Sequence, residues 1–139
     1  MVTVANLSTR ARLRTAVYWA ATIIIVAESL VGGVMDILRL APFYPALHSL
    51  GYPAYFSTML GVAKVAAGIV ILAPRLPRLK EWAYAGISFN MAAAVASHVA
   101  VRDGVGNLVA PLMFLVLILA SWALRPADRR LSSAGRLHG

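Results

Sequence analysis

Four long apolar stretches, separated by short basic or turn-rich joints, make up most of this 139-residue chain. They cover roughly residues 16–38, 56–72, 81–101 and 108–124. Each approaches the length of about 20 apolar residues that a helix needs to cross the hydrocarbon core of a bilayer. The pattern therefore predicts an all-α protein, a four-helix transmembrane bundle with consecutive helices antiparallel.

Helix-breaking residues mark the joints between these stretches. Residues 41–45 and 51–53 are rich in Pro and Gly and bound a short outer loop. Pro74 and Pro77 enforce a tight turn, because the residue before a proline disfavours the helical conformation. We therefore expect three parts: a basic arm at 1–15, a four-helix membrane domain at 16–125 and a polar tail at 126–139.

The composition agrees with a membrane protein. Hydrophobic residues make up 60% of the chain and charged residues 13%, against about a quarter charged in soluble domains. The net charge of +8 would suit nucleic acid, but most of the basic residues lie in three patches beside apolar stretches. These patches are Arg10, Arg12 and Arg14; Arg75, Arg78 and Lys80; and Arg125, Arg129, Arg130 and Arg136. Because no soluble basic face remains, we expect the lipid bilayer, and no nucleic acid, as the partner.

The basic patches also orient the chain. Cytoplasmic segments of membrane proteins are enriched in Lys and Arg, and here the arm, the joint between the second and third stretches, and the tail are basic. Trp19, Trp82 and Trp122 fall on the same side, where indole rings anchor helices at the interface. We therefore predict a multi-pass protein of a bacterial inner membrane with the N and C termini both cytoplasmic.

Cysteine is absent. Its absence excludes disulfides, thiol redox relays, iron–sulfur clusters and haem attached through Cys. His98 has no second histidine at helical spacing, so no metal site is predicted. No resident cofactor is expected, and a quinone is kept as an alternative.

Two full charges lie inside the apolar stretches, Glu28 in the first and Lys64 in the second. At a rise of ~1.5 Å per residue, Glu28 lies about 15 Å and Lys64 about 12 Å from the outer ends of their helices. Asn90 of the third stretch lies at about 16 Å, in the same layer. A charge at this depth is costly unless it is paired or faces a polar cavity. We therefore predict that Glu28 and Lys64 meet.

Two interpretations of this polar layer stay open. As a structural ion pair, Glu28 and Lys64 would fix which helices touch. As a polar pocket, the layer would receive a ligand, a proton or a lipid headgroup, because intramembrane ionisable residues are functional candidates by default. Gly32, Gly33 and Gly61 lie nearby and favour close helix packing in either case.

A second group of polar residues lies nearer the outer surface. Asp36 and Arg39 are three residues apart and are able to pair along one helix. His98 is interpreted either as a structural residue that donates to a carbonyl or to Asp36, or as a proton carrier. The candidate ligand-binding residues are therefore Glu28, Lys64, Asn90, Asp36 and His98, and the candidate catalytic residues are Glu28 and His98.

The remaining polar positions have simpler expected roles. Glu81 begins the third stretch, where a carboxylate compensates the positive N-terminus of a helix. The fourth stretch carries no charge. We expect it to pack outside the polar layer and to face lipid.

Short motifs spread along the chain resemble one known family. They are Tyr18-Trp19, Gly51-Tyr52-Pro53, Leu60-Gly61-Val62 with Lys64, Pro74, the run from Lys80-Glu81-Trp82 to Gly86, and Ser97-His98. Together they cover about Arg14 to Arg125, and in combination they resemble the DoxX-like family of small four-helix integral membrane proteins.

The resemblance implies a membrane protein, in a family whose members mostly have no defined activity. Name-giving relatives are subunits associated with thiosulfate oxidation coupled to quinone, others are similar to partners of oxidative-stress enzymes, and distant animal relatives resemble receptor assembly factors. This chain lacks recognisable sulfur-handling residues, so thiosulfate chemistry is not carried over.

Two kinds of function follow from these observations. The first is an accessory subunit, acting with a membrane protein partner or as a homo-oligomer, or a binder of a small apolar ligand through the buried Glu28, Lys64 and Asn90 layer. The alternative is a quinone-linked or lipid-modifying membrane enzyme in which Glu28 or His98 transfers a proton. The sequence does not decide whether the protein is an enzyme.

Overall fold

The computed structural model describes residues 4–131, and these residues form helices and no strands. The helices are α1 (Val4–Ala27), a π-helical segment (Glu28–Gly32), α2 (Gly33–Ile37), α3 (Phe43–Ser49), α4 (Ala54–Leu72), α5 (Pro77–Ala100), α6 (Gly106–Leu124) and a short 3-10 turn (Ala127–Arg129). The all-α prediction is confirmed. The ends of the long helices lie within a few residues of the predicted ends, except that α1 begins at Val4 and the first stretch was predicted from residue 16.

Two parts of the chain outside the predicted membrane helices are themselves helical. The basic arm is not separate from the first stretch, because α1 already begins at Val4 and runs through it without a break. The outer loop contains α3, whose Pro45 lies in the first turn, where a missing backbone N–H is tolerated. Residues 1–3 of the arm and residues 132–139 of the tail lie outside the described residues.

The long helices pack side by side and enclose an apolar interior. α1 and α2 contact α4, α4 contacts α5, α5 contacts α6, and α6 returns to α1. The largest buried apolar side chains at the centre are Ile25, Ile71, Ile87 and Ile118. Each of these comes from a different helix, so the core is shared by α1, α4, α5 and α6.

Glycine allows α2 and α4 to approach until their backbones touch. A Cβ atom added to Gly33 would lie 2.9 Å from the carbonyl oxygen of Gly61. A Cβ atom added to Gly61 would overlap the carbonyl oxygen of Gly33 and lie 2.8 Å from the backbone nitrogen of Ile37. Small residues at helix crossings serve this purpose in membrane proteins. The crossing holds Asp36 of α2 close to α4.

Arginines in the left-handed conformation end two helices. Arg39 follows α2 with φ 56°, and Arg102 follows α5 with φ 54°. Leu40 N donates to Met35 O at 2.8 Å and Arg39 N to Asp36 O at 3.2 Å, the paired bonds of a Schellman motif. These bonds satisfy carbonyls that the end of a helix would otherwise leave unpaired.

Three helical segments in the described part of the chain are long and apolar enough to cross a membrane. They are Asn6–Ile37, Ala54–Leu72 and Gly106–Leu124. α5 has 24 residues and therefore sufficient length, but it carries more polar residues. By helix length and composition, the chain is a membrane protein.

The glycine crossing generates a prediction about stability. Gly61→Ala is expected to lower the free energy of unfolding by about 1–3 kcal/mol, because the new methyl group forces α2 and α4 apart. The measurement is unfolding in mixed detergent micelles followed by circular dichroism. Gly86→Ala in α5 is the matched control, since no atom lies within 4 Å of its added Cβ. Equal stability of the two variants would contradict the close crossing.

Candidate functional site

Lys64 of α4 contacts two carboxylates, one at the start of the π-helical segment and one in α2. Its Nζ lies 2.6 Å from Glu28 Oε1 and 3.3 Å from Asp36 Oδ2. The side chains of Lys64, Glu28 and Asp36 are only 5%, 11% and 2% exposed. The ring of Phe43, from α3, has its centroid 4.8 Å from the same Nζ. The predicted pairing of Glu28 with Lys64 is confirmed.

The π-helical segment explains why Asp36 joins this cluster. An α-helix turns by about 100° per residue, so the eight steps from Glu28 to Asp36 would leave their side chains about 80° apart. A π turn holds one extra residue, which removes about 100° of rotation and brings the two side chains to within about 20°. The segment Glu28–Gly32 therefore turns both carboxylates towards α4. Such π segments are frequent at functional sites.

Two small residues fit around the charge cluster. A Cβ atom on Gly32 would lie 2.9 Å from Lys64 Nζ and 3.0 Å from Glu28 Oε1, so only glycine leaves room for the ion pair. Ser57 of α4 donates its hydroxyl to the carbonyl oxygen of Asp36 at 2.8 Å. The backbone around Asp36 is therefore tied to α4 independently of its carboxylate.

Asp36 Oδ1 is buried and accepts no hydrogen bond from the described residues. A buried acceptor without a donor is unfavourable, because it loses its hydrogen bonds to water and gains none. With two carboxylates and one ammonium, the cluster also has more acceptors than donors. The cluster therefore has room for one more hydrogen, supplied either by protonation of a carboxylate or by a ligand hydroxyl.

A groove between α4 and α5 reaches this cluster from the side. Its cavity has a volume of about 330 Å³. It is lined by Leu60, Ala63, Lys64, Ala66, Ala67 and Val70 of α4 and by Leu79, Trp82, Ala83, Gly86, Ile87 and Asn90 of α5. Only Lys64 and Asn90 bring amine or amide groups to this apolar lining. The Asn90 side chain is half-buried.

These observations can now be compared with known proteins. The chain matches the DoxX-like family over residues 20–121. The chain belongs to the DoxX-like family. Comparisons with curated proteins and with solved structures give no match. Membership and the apolar helices together indicate a membrane protein, and the matched region contains the whole Lys64 cluster and the groove.

The other residues predicted for the outer group lie elsewhere. Arg39 is exposed and does not pair with Asp36, which faces α4 instead. His98 Nδ1 lies 2.8 Å from Asp103 Oδ2 and does not reach Asp36. That hydrogen bond, followed by those from Asn107 and the Gly104 N–H, holds the pKa of Asp103 below its ordinary value. His98 therefore belongs to the joint between α5 and α6, apart from the groove.

Asn90 forms no hydrogen bond with Glu28 or Lys64. Both Asn90 and Lys64 line the groove, from opposite helices. No hydrogen bond joins the Asn90 amide to another described residue, whereas Glu28 Oε1 and Asp36 Oδ2 contact Lys64 Nζ. The Asn90 side chain is therefore available inside the groove, and its place in one layer with Glu28 and Lys64 stays a prediction.

A second polar cluster, not predicted, lies towards the opposite end of the helices. Ser121 Oγ of α6 lies 2.7 Å from Thr22 Oγ1 of α1 and 2.7 Å from the Tyr84 hydroxyl of α5. Ser121 and Thr22 are fully buried. α6 contributes no described residue to the Lys64 cluster or the groove, as expected, but at this end its Ser121 joins polar groups of α1 and α5. The helical rise that gave the depth of Lys64 was not applied to hydroxyl side chains. Applied to them, it would have predicted this cluster of Thr22, Tyr84 and Ser121.

Glu81 is also placed differently from the expectation. Its Oε1 accepts a hydrogen bond from Arg125 Nη2 at 2.7 Å, and its Oε2 accepts one from Trp122 Nε1 at 2.8 Å. Glu81 therefore joins the start of α5 to the end of α6, beyond any contribution to its own helix N-terminus.

The charge cluster predicts different outcomes for its members. Lys64→Met is expected to lower the free energy of unfolding by about 3–5 kcal/mol, because it leaves two buried carboxylates without a counter-charge. Glu28→Gln is expected to cost only about 1 kcal/mol, because Lys64 keeps Asp36. Both are measured by detergent-induced unfolding.

The matched control is Arg39→Met, which removes an exposed positive charge near the cluster. It is expected to change stability by less than about 0.5 kcal/mol. A Lys64→Met variant as stable as the Arg39→Met variant would show that the cluster is not held by its ammonium group.

Proposed function

We propose that this membrane protein binds a small apolar molecule in the groove between α4 and α5, with the polar head of the molecule against Asn90 and Lys64. The observation that carries the proposal is the Asn90 amide, half-buried in an apolar groove without a hydrogen-bond partner among the described residues. Apolar sites for small molecules carry a few placed polar groups that orient the ligand. A ligand head that accepts and donates hydrogen bonds would satisfy this amide.

The shape of the groove suits an elongated ligand. From Leu79 to Asn90 it follows α5 for eleven residues, or about 16 Å. Small side chains at Ala66, Ala67 and Gly86 leave this length open. A hydrocarbon or isoprenoid tail would lie along it, since binding sites for small molecules are mostly apolar with a few placed polar groups.

A quinone is the ligand class that this arrangement favours. Its two carbonyl oxygens are acceptors, and Lys64 Nζ and the Asn90 amide are donors. Glu28 and Asp36 lie next to Lys64 at 2.6 and 3.3 Å. They would supply or take protons if the head changed its redox state.

The finer topology belongs to the same proposal. We propose four membrane crossings, with α5 as the third, because its 24 residues span about 36 Å. Lys80 and Arg129 both donate to the carbonyl oxygen of Ile71, and Arg10 and Arg14 line one cavity with Arg125 and Arg130, so basic residues of three segments gather at one end. This end would face the cytoplasm of a bacterial inner membrane.

The enzyme alternative is a quinone-linked reaction in which Glu28 moves the proton. Neither Glu28 nor His98 lines the groove, but Glu28 contacts Lys64, which does, whereas His98 is paired with Asp103. This contact favours Glu28 over His98 for that role. The accessory-subunit alternative requires a partner on the exposed aromatic face of α5. There Trp82 and Phe89 are 79% and 76% exposed, as lipid-facing residues also are.

The ligand proposal is tested with decylubiquinone and the full chain in a mild uncharged detergent. Asn90→Leu is expected to weaken binding about tenfold, because the head loses a hydrogen bond to a buried amide. The same variant should not lower thermal stability, since the Asn90 amide forms no hydrogen bond with another described residue. Native mass spectrometry and thermal shift give the two readouts.

The apolar part of the groove has its own matched pair of variants. Ala66→Leu fills the groove, whereas Ala85→Leu adds the same volume at an exposed position that does not line it. Binding should fall for Ala66→Leu and stay within about twofold for Ala85→Leu. Equal binding by all these variants would refute the groove as the site.

The proposed topology is tested by cysteine labelling, since the background contains no cysteine. Ser8→Cys should react with a membrane-impermeant maleimide only after the membrane is permeabilised. His48→Cys, in α3, should react in intact cells. Labelling of Ser8→Cys from outside would reverse the orientation.

A further inference from the structure

A second cavity, of about 430 Å³, lies between the first turns of α1 and the end of α6. Its lining is Arg10, Ala11, Arg14 and Thr15 of α1 with Leu124, Arg125, Pro126, Ala127 and Arg130. Four of these residues are arginines and none is acidic. We propose that this cavity binds a phosphate group, carried by a phospholipid headgroup or by a soluble phosphate.

The two arginines of α1 are spaced to act together. Arg10 and Arg14 are one helical turn apart and therefore lie on the same face, whereas Arg12 between them points away and does not line the cavity. Both Arg10 and Arg14 are exposed, and neither forms an ion pair with a carboxylate among the described residues. Their charges are therefore available to an anion from outside.

Arg125 provides an independent sign of a missing ligand. Its side chain is nearly fully buried, and the residue is only 3% exposed. Nε donates to Trp122 O at 2.9 Å and Nη2 to Glu81 Oε1 at 2.7 Å, but Nη1 has no acceptor among the described residues. A guanidinium carries five N–H donors in a planar fork. A buried donor left without an acceptor is unfavourable, and a phosphate oxygen is an acceptor of the right charge.

The position of Arg130 is fixed by the backbone of α6. Its Nε donates to Arg125 O at 2.6 Å and its Nη2 to Ala123 O at 2.8 Å. These bonds satisfy carbonyls at the end of α6, which is a structural role. They also fix the guanidinium of Arg130, which lines the cavity, before any ligand arrives, so less side-chain entropy is lost on binding.

The charges around this cavity do not balance. Glu81 is the one carboxylate paired with Arg125 in the described part of the chain, and Arg10, Arg14 and Arg130 have none. Four guanidinium groups against one carboxylate leave about three uncompensated charges. Arginine is suited to phosphate because its planar fork bonds two oxygens at once. A phosphate monoester or diester would therefore reduce repulsion among these side chains.

The two sources of phosphate differ in what else they require. A phospholipid would place its acyl chains along the apolar surface of α1 and α6, which adjoins the cavity. A soluble phosphate would need only the arginines. The site is separate from the α4–α5 groove, since the two cavities share no lining residue.

The test compares Arg14→Gln with Arg12→Gln in the full chain, in uncharged detergent at fixed salt. The two variants lose the same charge from the same helix two residues apart. One probe is inorganic phosphate, followed by calorimetry. The other is dioleoyl phosphatidylglycerol, followed by native mass spectrometry with phosphatidylcholine as competitor. Circular dichroism checks that helix content is kept.

Arg14→Gln should weaken binding about tenfold, and Arg10→Gln with Arg14→Gln about a hundredfold, whereas Arg12→Gln should stay within about twofold. Loss for both probes supports a site that accepts either source, and loss for phosphatidylglycerol alone supports a lipid site. Equal losses for Arg12→Gln and Arg14→Gln would mean attraction by general charge and would overturn the proposal. So would the absence of binding for both probes in the unsubstituted protein. Neither result would affect the quinone proposal, because that proposal is tested with variants of other residues.

Discussion

The contact of one ammonium group with two carboxylates, among apolar side chains, constrains the rest of this fold. Lys64 lies on α4, Glu28 begins the π-helical segment, and Asp36 lies in α2. A charge at membrane depth is tolerated only when it is paired or faces a polar cavity. α1 and α2 must therefore pack on α4 at one register and one rotation. The glycine crossing at Gly33 and Gly61, and the space left by Gly32, are the local conditions for that approach.

The four helix seams differ in what holds them. α1 and α2 are joined to α4 by the Lys64 cluster, and α5 is joined to α6 by Glu81 and Arg125. Thr22 and Ser121 join α1 to α6. Between α4 and α5, by contrast, the described polar bonds lie at the two ends. Lys80 donates to Val70 O and Ile71 O at the C-terminal turn of α4, and the hydroxyl of Tyr52, just before α4, lies 2.7 Å from Ser97 Oγ of α5. The open groove occurs along this seam, where small side chains face each other and few bonds draw the helices together.

Sequence reasoning found the parts of the site that follow from charge and depth. Glu28 and Lys64 were paired correctly because a buried charge needs a partner and the rise per residue sets its level. Asp36 was assigned to Arg39 because hydrophobic periodicity does not reveal a π turn, and an uninterrupted α-helix turns Asp36 away from Glu28. The contact between Arg125 and Glu81 could not be predicted from the sequence, because it depends on which helices are neighbours. The binding roles of Glu28, Lys64, Asn90, Asp36 and His98 stay predictions.

The π-helical segment is equivalent to one residue inserted into a regular α-helix. If these residues returned to α-helical geometry without a deletion, the helix beyond them would turn by about 100°, Asp36 would leave Lys64, and Gly33 would leave its crossing with Gly61. Deleting a single residue between Glu28 and Gly32 would instead restore a regular α-helix in which the two carboxylates are still about 20° apart. In related chains, a one-residue gap across these five positions should therefore mark a helix that keeps both carboxylates towards α4 without a π turn.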